Sequence, residues 1–276
     1  MKPILFSIGP LDVSSYYFMG IIGLLGGFFF NYWETKRRNL DVKLSIYGAV
    51  WVSIFGYIGA RAMHIVFDGF LEIYIQKPLA IFAFWKGGLA FYGTVIFGLP
   101  AALWWFRYHK APFLKYLDNY TYGIAFGVGI GRIGCYLNGC CFGEISSSSI
   151  ASQFIKYGLS AKNQFARDIL LNLKEMPYPV FPSQLISFFA NMVIFLFLWI
   201  FVRKRYKKDG SVFGIWMILY GIFRFIIEIF RADDRGMFFN DLLSSSQIIA
   251  IISIIAGILI IKLPDKKEKS VSQSHS

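Results

Sequence analysis

Four charged residues, Arg61, Arg132, Arg224 and Glu228, fall inside runs of sequence otherwise apolar enough to lie in lipid. A charge in hydrocarbon costs on the order of 3 kcal/mol or more unless it is paired or hydrated, so each is a functional candidate. Arg224 and Glu228 belong to a series, Tyr220, Arg224, Glu228 and Arg231, spaced by four, four and three residues. That spacing lines them along one face of a helix. A polar stripe on an apolar helix turns toward a wet groove, where Glu228 can fix a guanidinium so that it grips an anion at two points. The same charges can instead form a purely structural ion network.

Arg132 lies in a segment with six glycines between Gly127 and Gly143. Glycine permits irregular backbone, which a membrane tolerates only beside protein or water, so the expectation is a span that breaks open around Arg132 at a cavity. The alternative is a tightly packed glycine helix with Arg132 snorkelling outward. Arg61 follows Gly56, Gly59 and Ala60, small residues that let a neighbouring helix come close. It either serves a site or is satisfied structurally, by a helix-end carbonyl or by Glu228. Cys135, Cys140 and Cys141 form a C-x4-C-C cluster with no nearby His, a poor zinc spacing, so packing is the expected role and neither metal nor cofactor is expected. The three histidines, His64, His109 and His275, assemble no Ser/His or Cys/His nucleophile pair.

Positioning these residues requires a membrane scaffold. Of the 276 residues 56% are hydrophobic and only 16% charged, where a soluble domain carries about a quarter charged residues. Mean hydropathy is +0.54. A lipid-embedded chain has little use for its net charge of +12 in nucleic-acid binding. Continuous apolar runs, without strand-like alternation, disfavour a β-barrel. They predict an all-α integral membrane protein with seven transmembrane helices at about 16–33, 45–67, 88–106, 119–137, 183–202, 212–230 and 245–261. Sixteen of the 28 basic residues fall in the connections on one side of this arrangement and in the tail, which makes that side cytoplasmic and places the amino terminus outside. Residues 1–262 then form one polytopic membrane domain with an outer-face segment at about 138–182, and 263–276 a polar cytoplasmic tail. Within the outer segment 152–174 is a candidate amphipathic helix, and the outer connection 68–87, with Pro78, a candidate interfacial stretch.

The motifs, taken in order, resemble those of the bacterial prolipoprotein diacylglyceryl transferase family. The most specific is Gly131-Arg132-Ile133-Gly134-x-x-x-Asn138-Gly139-x-x-x-Gly143. It is joined by Gly56-x-x-Gly-Ala-Arg61, Gly87-Gly88-Leu89-Ala90-Phe91-Tyr92-Gly93, Pro182-Ser183-Gln184-Leu185, Tyr220-Gly-x-x-Arg224-Phe-x-x-Glu228-x-x-Arg231 and Leu243-Ser244-x-x-Gln247. The resemblance implies a seven-span helical bundle in the bacterial inner membrane. It implies transfer of the diacylglyceryl group of phosphatidylglycerol to the lipobox cysteine thiol in a prolipoprotein signal peptide, with release of glycerol 1-phosphate. By resemblance Arg132 and Arg224 are the essential arginines at the lipid headgroup, and Tyr17, Arg61, Asn138, Gly143, Tyr220, Glu228 and Arg231 stand at supporting, substrate-binding positions. Tyr92 occupies the place of a frequent His in the family and becomes the candidate catalytic hydrogen-bonding partner. Cys135 and Cys140 stand where the signature often has Asn and Glu, and Ile186-Ser187 where Tyr-Glu is common. These departures keep two alternatives open: an inactive lipid- or lipoprotein-binding relative, and an anion or lipid transporter, since glycine-broken helices serve transporters too.

Overall fold

The computed structural model describes residues 2, 4–9, 11–67, 71–82, 91–144, 180–206, 208–231, 237–238 and 243–263. Helix lies at each of the seven expected ranges: α1 (Ser15–Arg37), α2 (Val42–Phe67), α4 (Phe91–Tyr108), α5 (Phe113–Asn138), α6 (Ser183–Phe197), α7 (Ser211–Glu228) and α8 (Ser245–Lys262). A short α3 (Leu71–Gln76) and a 3-10 turn (Pro78–Phe82) occupy the connection around Pro78. A π-helical turn, Leu198–Val202, and one further turn, Arg203–Arg205, extend α6. Among the described residues four helical segments, Val42–Val66, Ser183–Arg205, Ser211–Glu228 and Ser245–Lys262, are long and apolar enough to cross a membrane, as in an integral membrane protein. Two small hairpins were not anticipated: β1 (Ile4–Ile8) pairs antiparallel with β2 (Leu11–Ser14), and β3 (Met237–Phe238) with β4 (Leu243–Ser244).

The chain divides into two compact units, Asn31–Leu117 and the remainder, Met1–Phe30 with Asp118–Ser276. In the first, α2 and α4 touch backbone to backbone. A Cβ on Gly93 would stand 2.1 Å from the Gly59 carbonyl oxygen, and one on Gly59 only 2.3 Å from that of Gly93. Only glycine fits such a crossing, so the small residues before Arg61 are there for the neighbouring helix.

In the second unit Tyr122 and Ala125 of α5 pack with Ile194, Phe195, Leu198 and Val202 of the α6 segment and Val212 of α7. Buried Asp118 accepts hydrogen bonds from the backbone N–H groups of Gly210 and Phe213, both at 2.9 Å, and so holds the start of α7 with a negative charge at its positive end. The expected break at Arg132 does not occur: α5 is continuous from Phe113 through Arg132 to Asn138. Gly123, Gly127 and Gly134 serve packing against α1 instead, and Gly129 packs against Met192 of α6. A Cβ on Gly123 would meet the Gly27 carbonyl oxygen at 2.7 Å, and one on Gly134 would stand 3.2 Å from the Cβ of Met19. Irregular backbone begins only after Asn138.

Candidate active site

The end of α5 is a hydrogen-bonded stop. Gly139 has φ +75°, its N–H donates to the Tyr136 carbonyl at 3.2 Å, and the Cys140 N–H donates to the Cys135 carbonyl at 3.1 Å. This is the Schellman pattern, with glycine at the left-handed position where a Cβ is penalised. Cys141 follows at φ +62°, a conformation that costs a non-glycine residue about 1 kcal/mol or more and persists only where its surroundings impose it. The surroundings do so. Buried Gln184 donates from Nε2 to the Cys140 carbonyl and buried Ser183 from Oγ to the Cys141 carbonyl, each at 2.8 Å. The Pro182-Ser183-Gln184 motif is therefore the clamp on this turn. Gly143 forms a β-bridge to Arg231 and donates its N–H to the Phe181 carbonyl at 2.9 Å, while the Glu144 N–H donates to the Phe230 carbonyl at 3.1 Å. A Cβ on Gly143 would lie 2.5 Å from the Phe230 carbonyl oxygen, so this glycine lets the strand-like segment reach Arg231.

The face of α7 meets this turn. Arg224 forms an ion pair with Glu228, and its Nη2 donates to Ser246 Oγ at 2.8 Å. Ser244 Oγ donates to Glu228 Oε1 at 3.1 Å, and Arg231 Nε stands 3.9 Å from Glu228 Oε2. Ser244 and Gln247 also close a capping box at the start of α8, which accounts for the Leu243-Ser244-x-x-Gln247 motif. A helix N-terminus favours a nearby carboxylate, and this one keeps Glu228 where two guanidiniums reach it. Arg132 lies within electrostatic reach of Tyr220, Cys135, Cys141 and Arg231.

The structure therefore gathers Arg132, Tyr220, Arg224, Glu228, Arg231 and Gly143 at one end of this unit, with Asn138 as the last residue of α5 beside them. Tyr17 sits in the first turn of α1, its ring edge-on to Tyr16 at 5.6 Å. Arg61 belongs to the other unit. Of the structural partners open to it, a carbonyl is observed: Nε donates to the Ile81 oxygen at 3.0 Å, and the guanidinium lies 5.1 Å from the centre of the Tyr74 ring. Tyr92 stands in the first turn of α4, but its side chain lies outside the described residues, as do Gly87 to Ala90, the segment 145–179, Asp233, Asp234 and the tail from 264. Sequence reasoning missed Ser246, which carries no signal beyond its place in a run of serines, and Tyr16, which lies within electrostatic reach of all three cysteines.

The sequence model of the family described as prolipoprotein diacylglyceryl transferase matches residues 3–263 of this chain. The chain belongs to the prolipoprotein diacylglyceryl transferase family. Similar proteins named phosphatidylglycerol--prolipoprotein diacylglyceryl transferase include one from Photorhabdus laumondii, 32% identical over 94% of this chain and 91% of its own. Another, from Proteus mirabilis, is 31% identical over 99% and 95%, and one from Pseudoalteromonas atlantica is 32% identical over 98% and 91%. The transferase-family motifs now have physical content. The Gly131–Gly143 signature is the last turns of α5 and the clamped turn after it, and the Tyr220–Arg231 motif is the face of α7 that meets that turn.

Proposed function

We propose that this chain moves the diacylglyceryl group of phosphatidylglycerol onto the lipobox cysteine thiol of prolipoproteins, releasing glycerol 1-phosphate. The observation that carries this reading is the gathering of Arg132, Arg231 and the Glu228-anchored Arg224 around the turn after α5 in an apolar helical unit. In the reaction the sulfur forms a bond to the glyceryl carbon, the carbon–oxygen bond breaks, and the phosphate leaves with the electron pair. Its charge grows from one negative toward two while the thiol's proton is released. Fixed guanidiniums aimed at those oxygens stabilise the transition state more than the ground state. Arginine stays charged under such burial, where a lysine can lose its proton. The same positive field lowers the pKa of an incoming thiol from about 8.5 and raises its thiolate fraction.

In this reading Arg132 and Arg224 act on the phosphate, Glu228 and Arg231 position them, and Tyr220, Tyr17 and Asn138 line the headgroup. The resemblance carries over two further candidates, Arg61 for substrate binding and Tyr92 for a catalytic hydrogen bond where the family often has His. The chain is a single membrane domain over 1–262 with seven spans in the bacterial inner membrane, its amino terminus outside, its outer-face segment at about 138–182 and its 263–276 tail in the cytoplasm. Its partners are phosphatidylglycerol and the prolipoprotein signal peptide. Purified protein mixed with phosphatidylglycerol and a lipobox peptide tests the reaction. Thioether-linked diacylglyceryl on the peptide cysteine, absent with a Ser-for-Cys peptide, is the expected result. Anion flux in vesicles without that product would replace the reading with transport.

A further inference from the structure

The spacing of Cys135, Cys140 and Cys141 hides a convergence that the fold creates. The Schellman stop brings Cys140 back over Cys135, and the left-handed Cys141 turns beside them, so the three sulfurs lie within 4.8 Å of one another. A tetrahedral zinc with bonds of about 2.3 Å requires sulfurs about 3.8 Å apart, so movements of about an ångström would close such a site. All three are free thiols. Cys135 is fixed in α5, and the backbone of Cys140 and Cys141 is held from outside the cluster by Gln184 and Ser183, which leaves the side chains preplaced.

We propose that Cys135, Cys140 and Cys141 form a three-thiolate site for a thiophilic divalent cation of the zinc class, whose fourth position accepts an external thiol. Three protein ligands with one open position is the arrangement of reactive rather than closed structural zinc sites. Three thiolates and one divalent cation carry a single net negative charge, set beside two guanidiniums. Resting on the transferase reading, the external thiol is the substrate cysteine. It gives up its proton to solvent on becoming the fourth ligand, and its sulfur then attacks the glyceryl carbon as the phosphate departs.

The test uses the full chain in detergent, reduced and stripped of metal, with Co2+ as the spectroscopic probe and Zn2+ as competitor. The expected result is one Co2+ per chain with near-ultraviolet thiolate-to-cobalt absorption, displaced by Zn2+. Each single Cys→Ser change should weaken binding by at least about tenfold, the scale that loss of an outer-shell partner alone reaches. Wild-type thiols should also be shielded by Zn2+ from an alkylating reagent, a readout that needs no variant to fold. A lipobox peptide should alter the cobalt spectrum, and its Ser-for-Cys counterpart should not. A wild-type spectrum matching that of the triple Cys→Ser protein, a disulfide among the three in protein purified without reductant, or indifference to the peptide thiol would each overturn the inference. Full transfer activity in metal-free protein would overturn it while leaving the transferase reading standing. Cobalt and thiol binding without lipid transfer would leave the site standing and overturn that reading.

Discussion

Arg61 in α2 and the group of Arg132, Arg224 and Arg231 in the other unit are cations set among apolar helices, and they are treated differently. Arg61 donates to the Ile81 carbonyl and rests on the Tyr74 ring, two neutral partners for a guanidinium. Arg224 and Arg231 share Glu228, Arg132 stands within electrostatic reach of Arg231, and serines of the α8 start orient the carboxylate and one guanidinium. The second arrangement gathers three guanidiniums around one carboxylate, a net positive charge that suits the phosphate leaving group proposed above.

The sharpest way to break this contrast is conservative replacement. Arg132→Lys and Arg224→Lys are each expected to lower the transfer rate by about 100-fold or more, the scale of losing one preorganised transition-state donor. Arg61→Lys keeps a cation against a carbonyl and a ring, and should cost less than about tenfold. Comparable losses at all three positions would erase the distinction. Glu228→Gln comes next, with an expected loss of about tenfold in kcat as Arg224 and Arg231 lose their shared anchor, and with a lower melting temperature as a buried carboxylate between guanidiniums is neutralised. Gly93→Ala should destabilise by about 2 kcal/mol through overpacking against Gly59, read as a lower melting temperature in detergent with the rate per folded molecule preserved. Ser244→Ala is the mildest: about 1 kcal/mol from the lost cap, with a modest fall in rate from a loosened Glu228.

The contrast also explains what the sequence made legible. Among the described residues, apolar runs located the long helices, although α5 begins at Phe113 rather than at 119, because lipid-scale hydrophobicity is a strong, continuous signal. The 220–231 face was legible because helical periodicity alone aligns Tyr220, Arg224 and Glu228. The glycines around Arg132 were misread as a break, since a glycine that bends the chain and a glycine that admits a neighbouring backbone look identical until the partner helix, here α1 at Gly23 and Gly27, is known. The cysteine trio was illegible for a related reason. Its convergence depends on the handedness of Gly139 and Cys141, and no count of intervening residues records the sign of φ. Ser246 and the clamp from Ser183 and Gln184 act through contacts across more than 20 residues, beyond any local pattern.

The central claim is that paired guanidiniums of the Arg132–Arg224–Arg231 group receive the departing phosphate. It is tested most directly by measuring single-turnover transfer from phosphatidylglycerol to a lipobox peptide with wild-type, Arg132→Lys and Arg224→Lys proteins at saturating lipid. The account predicts that the chemical step slows by about 100-fold in both variants while lipid binding changes far less. A chemical step at the wild-type rate in either variant would contradict it.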